Sequence, residues 1–95
     1  MQNIQSIKLC TGEEIIAELI TDSETTVSVM RPMTVAMGPQ GPVLMPTMIT
    51  ADIKTAMVVQ RNNVVMQAPT DAAVQATYTQ AVTGLAIPGS RVLMG

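Results

Sequence analysis

Residues 7–22 carry the clearest structural signal in the chain and read Ile7-Lys8-Leu9-Cys10-Thr11-Gly12-Glu13-Glu14-Ile15-Ile16-Ala17-Glu18-Leu19-Ile20-Thr21-Asp22. Apolar and polar residues alternate loosely before Thr11-Gly12, which is a turn signal because glycine can adopt a positive φ. After the turn the pattern has period two, with Ile15, Ala17 and Leu19 on one face. A helix is the alternative here, because Glu, Ile, Ala and Leu all tolerate one. The glycine at a hairpin position and the β-branched run that follows favour a strand, so we predict a β-hairpin.

The segment after this hairpin predicts further strands. Residues 25–30 are rich in Thr and Val and end at Arg31-Pro32, where the proline marks a bend or an edge position. Residues 33–37 then form either the second half of one long kinked strand or a separate strand. The Pro/Gly sequence at 38–42 predicts a loop, and residues 43–49 a returning strand.

A second hairpin is predicted near the end of the β-rich region. Residues 55–60 and 64–68 are two β-rich runs, and they are separated by Arg61-Asn62-Asn63. Asparagine tolerates the left-handed backbone conformation that a tight turn demands. The pattern therefore predicts that the two runs pair with each other.

A single helix is predicted over about residues 71–83. Its apolar positions recur at helical spacing and are Val74, Tyr78, Ala81, Val82 and Leu85. We expect Thr70 and Asp71 to cap its first turn and Gly84 to end it. The tail at 86–95 either adds a strand to a neighbour or is disordered.

The chain has 95 residues, which predicts one domain, assigned to residues 1–85, and no second boundary. This length is short for two full sheets. The turn spacing therefore predicts a mainly β fold, a small and strongly bent antiparallel open barrel with one C-terminal helix. A domain of this size buries little surface, so a subunit interface is a natural way to add buried area.

The composition argues against an enzyme. The chain contains no His, which is the commonest general base and metal ligand. Cys10 lacks a His to activate it and is predicted to be a buried structural thiol. Among Glu13, Glu14 and Glu18, neighbours in a strand point to opposite faces, so a solvated strand face is a better interpretation than a cation site. We expect no cofactor, no metal and no small-molecule substrate.

Localisation and partners follow from the same composition. The single cysteine and the lack of a signal-like N-terminal pattern predict a cytoplasmic protein. The uncharged run at 32–51 is interrupted by prolines and glycines, so we expect no membrane-spanning helix. The formal net charge of −2 gives no global attraction to nucleic acid, although a local basic patch is compatible with it.

Two motifs resemble those of the Sm-like family, which includes the Sm, LSm and Hfq proteins. In the first, the family's glycine corresponds to Gly12, its small residue to Ala17, its leucine to Leu19 and its aspartate to Asp22. The second is Val58-Val59-Gln60-Arg61-Asn62-Asn63-Val64-Val65, an apolar strand that ends in an Arg-Gly-Asn-like turn before another apolar strand. The segment between them is similar to Sm-like proteins encoded in phage and marine metagenomic sequence.

The chain departs from the family pattern in three places. The Asn that follows the motif's aspartate is absent, since Ser23-Glu24-Thr25-Thr26 stands there and adds a negative charge. Asn62 replaces the glycine after the arginine, and the helix follows the strands instead of preceding them. The first departure bears on RNA binding more than on the fold.

The resemblance implies an SH3-like open barrel in which edge strands of neighbouring copies pair and close a homo-oligomeric ring. It also implies binding of single-stranded RNA at the ring pore, through two loops of each copy. Carried over by position, the RNA-binding residues are Asp22, Ser23, Glu24, Thr25, Thr26, Arg61, Asn62 and Asn63. For Arg61-Asn62-Asn63 an ordinary turn is the alternative. For the whole protein the alternative is a phage-type structural or assembly protein that uses the barrel only for protein contacts.

Overall fold

The computed structural model describes residues 3–86 and, within the helix, side chains as far as Gly84. Within this range six strands and one α-helix follow each other along the chain. They are β1 (Ile4–Leu9), β2 (Glu14–Asp22), β3 (Thr26–Gly38), β4 (Gly41–Pro46), β5 (Met57–Gln60), β6 (Val64–Pro69) and α1 (Ala72–Ala86), with a 3₁₀ turn (Arg61–Asn63) between β5 and β6.

The strands form one antiparallel sheet in the order β4-β3-β2-β1-β6, and β5 pairs with β3 beside this path. Within the described residues the sheet remains open, because β6 pairs only with β1 and β5 only with β3. The prediction of a mainly β, open antiparallel fold with one C-terminal helix is therefore confirmed.

The first hairpin forms as predicted, and its second arm is a strand. Gly12 has φ +95°, and its amide donates to the Leu9 carbonyl over 2.9 Å. Ile7 then lies opposite Ile15 in the ladder between β1 and β2. Because side chains in a strand alternate between faces, Ile15 enters one hydrophobic core and Ile16 the other.

β3 is one long strand of 13 residues with a bend at Arg31-Pro32, which resolves the two alternatives in favour of the kinked strand. Arg31 has φ +51°, which is unusual for a residue other than glycine, and Pro32 is buried. Before the bend β3 pairs with β5, and beyond it β3 pairs with β4. The predicted proline bend is thus confirmed inside the sheet.

The predicted second hairpin is wrong, because β5 and β6 do not pair with each other. β5 pairs with β3 and β6 pairs with β1. The turn between them is a 3₁₀ helix, which redirects the chain instead of folding it back in register. Met57, Val59 and Val64 pack against the same core from the two ends of the bent sheet, and this burial replaces local pairing.

Two hydrophobic cores lie on opposite faces of the sheet. The first contains the buried side chains that contact α1 and consists of Ile4, Ile16, Met33, Tyr78 and Val82. The second lies on the other face and consists of Ile7, Ile15, Ala17, Val27 and Val29. Tyr78 and Val82 attach α1 to the first core, so the helix covers part of that face of the sheet.

The helix prediction holds for its start and its buried face but not for its end. The Asp71 carboxylate accepts hydrogen bonds from two first-turn amides at 3.1 and 3.3 Å, which confirms the predicted cap. Thr70 is buried and its hydroxyl bonds instead to that of Ser6. Gly84 does not end α1, which continues to Ala86, and Val74 is 39% exposed. The Leu85 side chain and the predicted tail, apart from Ala86, lie outside the described residues.

Candidate functional site

The two loops predicted to bind RNA meet in space, and Arg61 joins them. Its backbone amide donates to the Thr25 carbonyl over 2.9 Å, and its Nε donates to the Ser23 carbonyl over 3.3 Å. Its Nη2 forms an ion pair with Asp22 Oδ1, and its Nη1 donates to Gln67 Oε1 over 3.3 Å. Both motif regions therefore contribute to one surface, which we call the joined loops: residues 22–26 and 61–63.

The β2–β3 loop is held by its own hydroxyl groups. The Ser23 hydroxyl accepts the Thr26 amide at 3.1 Å and the Thr25 amide at 3.3 Å. It also lies 3.2 Å from the Thr26 hydroxyl. These bonds satisfy backbone groups that a tight turn leaves open. Glu24 is exposed at the tip, so its carboxylate is the group this loop offers to solvent.

Asn63 connects the 3₁₀ turn to the first hairpin. Its carbonyl accepts the Cys10 amide at 2.7 Å, and its Oδ1 accepts the Cys10 thiol at 3.5 Å. Cys10 is exposed, so the prediction of a buried thiol is wrong. The physical reason is its place inside the turn that follows β1, which the hydrogen bond from Gly12 to Leu9 closes. Asn62 is exposed beside it.

The charges of the joined loops do not form a basic patch within one copy. Arg61 is their cation, while Asp22 and Glu24 are both acidic. The Arg61 guanidinium already contacts Asp22 and Gln67. Tyr78, the one aromatic residue in the sequence, lies in α1 and is fully buried, so no aromatic ring is available at the joined loops.

The predicted carboxylate candidates do not converge. Glu18 forms an ion pair with Arg31 over 2.9 Å, and Glu14 lies opposite Lys8 in the ladder. Over residues 3–86 no group of three or more His, Cys, Asp or Glu side chains is placed to hold a metal ion. Within that range no helix has the length and hydropathy needed to cross a membrane.

The outer edges of β5 and β6 are a feature that sequence patterns did not single out. The hydrogen bond from the Arg61 amide to the Thr25 carbonyl continues the β3–β5 ladder. Because backbone hydrogen-bonding groups alternate in direction along a strand, the N–H and C=O groups of Val58 and Gln60 point away from β3. On β6, the Thr70 amide bonds to the Ile4 carbonyl, which directs the backbones of Gln67 and Pro69 away from β1, and of these two only Gln67 has an N–H to donate. Val65 falls at a register shift and has no partner in the β1 ladder.

These two edges carry exposed apolar side chains. Val58 is 60% exposed on β5, while Val65 and Met66 are 63% and 68% exposed on β6. In sequence they look like ordinary strand residues. β5 and β6 form two separate edges because they do not pair with each other, and the sequence pattern alone does not show this separation.

The third edge, on β4, is protected. The two-residue turn at 39–40 places Gly38 opposite Gly41 as a hydrogen-bonded pair. Because the direction of the backbone groups alternates along β4 from this pair, the nitrogens of Pro42, Leu44 and Pro46 point away from β3. Proline has no N–H to donate, so two of these three outward positions cannot donate a hydrogen bond to another strand. β4 is thus blunted in a way that natural sheets use against unwanted pairing.

Two comparisons with known proteins gave no basis for assigning a function. A scan against protein-family models found no match to the chain. A search of curated proteins also found no match. The open β5 and β6 edges and the joined loops are therefore the features from which a function is inferred.

Proposed function

We propose that this protein is a non-enzymatic, Sm-like module that assembles with itself into a ring through β5 and β6 and binds single-stranded RNA at its joined loops. The observation that carries the proposal is the pair of open apolar edges at the two ends of one bent sheet. Ring closure would pair β5 of each copy with β6 of the next, so that every such edge is covered.

The edges suit each other chemically. Both present outward backbone groups, and both add exposed valine side chains, Val58 on β5 and Val65 on β6. Strand pairing supplies main-chain hydrogen bonds, and apolar burial adds about 25 cal/mol per Å² of covered surface. Two of the three outward positions of β4 are prolines, whereas β6 has one, Pro69 at its end, and β5 has none, so β5 and β6 keep more donors for such pairing than β4 does.

RNA binding is supported by the meeting of the two loops. The amides of Asn62 and Asn63 are exposed, and amide groups can read the edges of unstacked bases. Repetition of the joined loops around a ring would give many weak contacts to one strand, which raises the overall affinity without a strong single site. Arg61 would supply phosphate contact and stacking by exchanging Asp22 for RNA.

A second candidate, an assembly protein that makes only protein contacts, is favoured by one observation. The Arg61 guanidinium is already paired with Asp22 and bonded to Gln67, and Glu24 adds an exposed negative charge beside it. A ring would repeat this acidic excess at every copy. On this alternative the ring forms, but RNA does not bind.

The ring is tested by light scattering on the wild-type protein and two matched valine variants. Val58→Asp places a charge on the β5 edge, whereas Val43→Asp places the same charge on β4, where Val43 is 46% exposed. We expect a single oligomer for the wild type and for Val43→Asp, and monomers for Val58→Asp. A monomeric wild type, or an unchanged Val58→Asp oligomer, contradicts assembly through β5.

RNA binding is tested by titration of labelled oligo-U and oligo-A at low and at physiological salt. Arg61→Ala removes the cation of the joined loops, and Lys54→Ala is its control because Lys54 lies in the segment between β4 and β5. We expect salt-sensitive binding that weakens with Arg61→Ala and is unchanged with Lys54→Ala. A ring that binds neither oligonucleotide supports the assembly role instead.

A further inference from the structure

The bend in β3 is held by a side chain of the helix. The Tyr78 hydroxyl lies 2.8 Å from the Arg31 carbonyl oxygen and 3.3 Å from that of Met30. Tyr78 is fully buried, and Arg31 is the residue of β3 with a positive φ, +51°. One hydroxyl of α1 therefore contacts two successive carbonyls at the bend.

This contact depends on the unusual backbone at Arg31. In a regular strand successive carbonyls point to opposite sides, so one hydroxyl cannot reach both. The positive φ of Arg31 rotates the chain so that both face Tyr78. That conformation is strained for a residue with a Cβ and persists only when its surroundings hold it in place. Tyr78, together with the Arg31–Glu18 ion pair, supplies those surroundings.

The position of the bend connects α1 to the β5 edge. β3 pairs with β5 through residues 26–29, before the bend, and with β4 through residues 33–38, beyond it. The part beyond the bend packs under the helix, since Met33 and Val35 belong to the core around Tyr78. The angle at Arg31 therefore sets the direction of β5 relative to the part of the sheet that α1 covers.

We propose that Tyr78 acts as a positioning residue that fixes the angle of the β5 edge and thereby the number of copies in the ring. The inference rests on the proposed ring and goes beyond it, because it assigns the control of ring size to the helix. A change of a few degrees between successive copies accumulates around a closed ring, so a loosened bend permits more than one size.

Native mass spectrometry of three proteins tests this control. Tyr78→Phe removes only the hydroxyl, while Val82→Ala is a control that weakens the same helix contact without touching the bend, since Val82 is buried beside Tyr78. We expect one stoichiometry for the wild type and for Val82→Ala, and a mixture for Tyr78→Phe. A single unchanged stoichiometry in Tyr78→Phe, or the same mixture in Val82→Ala, overturns the inference.

A second pair of variants tests the bend with Tyr78 intact. Arg31→Gly and Arg31→Val both remove the guanidinium, but glycine accepts φ +51° freely and valine resists it. We expect one ring size with glycine and a mixture with valine, and identical behaviour of the two overturns the inference. A wild-type protein that does not assemble rejects the proposed ring itself, and with it this control, whereas a uniform ring in every variant rejects only the control.

Discussion

Alkaline titration of Tyr78 gives a quantitative test of how α1 is attached to the sheet. Burial raises the pKa of Tyr78 from 10.0 to about 12, with a smaller opposing effect from Arg31 and a further raising effect from Glu18. The neutral phenol is also the form that donates a hydrogen bond to the β3 carbonyls. The folded protein therefore holds this proton at pH values where the unfolded chain has lost it.

The sign and size of the effect follow from this difference. Between pH 10.0 and about 12 the unfolded state binds fewer protons than the folded state, so the free energy of unfolding falls as pH rises. Each pKa unit corresponds to about 1.4 kcal/mol, so the full loss is about 3 kcal/mol. The contribution of Tyr78 is complete below pH 10.0 and is lost as pH rises through the folded pKa.

Comparison with Tyr78→Phe isolates this group from other titrating residues. Near neutral pH the variant should be less stable by about 1–3 kcal/mol, because two partly buried carbonyls lose their donor. This difference should shrink steadily as pH rises from 10.0 towards about 12. Urea unfolding at a series of pH values measures it. Tyrosinate absorbance provides a direct check, because Tyr78 is the only Tyr and the chain has no Trp. A folded-state phenol that titrates near 10.0 would refute the reasoning.

Three further stability predictions can be measured by urea unfolding. Gly84→Ala should stabilise the protein by about 0.5–1 kcal/mol, because Gly84 lies inside α1 with open space around its Cβ position; a loss of stability would contradict this. Asp71→Ala should cost about 1 kcal/mol by removing the helix cap, and no change would argue against that cap. Ile7→Ala should cost about 2–5 kcal/mol because Ile7 is fully buried, whereas Ile49→Ala, at an 84% exposed residue, should cost less than about 0.5 kcal/mol; equal costs would contradict the assigned core.

The parts of the fold that were predictable are those decided by local signals. Gly12 and the alternation from Ile15 to Leu19 specify a hairpin without reference to the rest of the chain, and the hairpin forms. Asp71 identifies the start of α1 for the same reason, since its carboxylate bonds to amides two and three residues ahead. Pro32 likewise indicates the bend in β3, because its effect on the backbone is local.

The errors arose where long-range packing decides the structure. β5 and β6 have the composition of a hairpin around Arg61-Asn62-Asn63, but their inward residues are buried better at the two ends of the bent sheet. Glycine commonly ends helices, but nothing in the sequence around Gly84 forces a helix to end there, and α1 continues past it. Cys10 has an apolar side chain, but it lies within the turn that follows β1 and is exposed.

The candidate site shows the same contrast between local signals and long-range arrangement. The two loops taken from the motif positions do contact each other, but the ion pair between Arg61 and Asp22 depends on the three-dimensional arrangement. That pair bears on the proposed RNA binding, because it occupies the guanidinium on which such binding would rely. The apolar edges around Val58 and Val65 depend even more on topology, since the same residues would be covered if β5 and β6 paired with each other.

The molar mass of the wild-type protein in solution tests the central claim most directly. Assembly through β5 and β6 predicts a single species by light scattering whose mass is a whole-number multiple of the 10.0 kDa chain and stays constant on dilution across the micromolar range. A species of 10.0 kDa would contradict the claim, because the two apolar edges would then remain uncovered in solution.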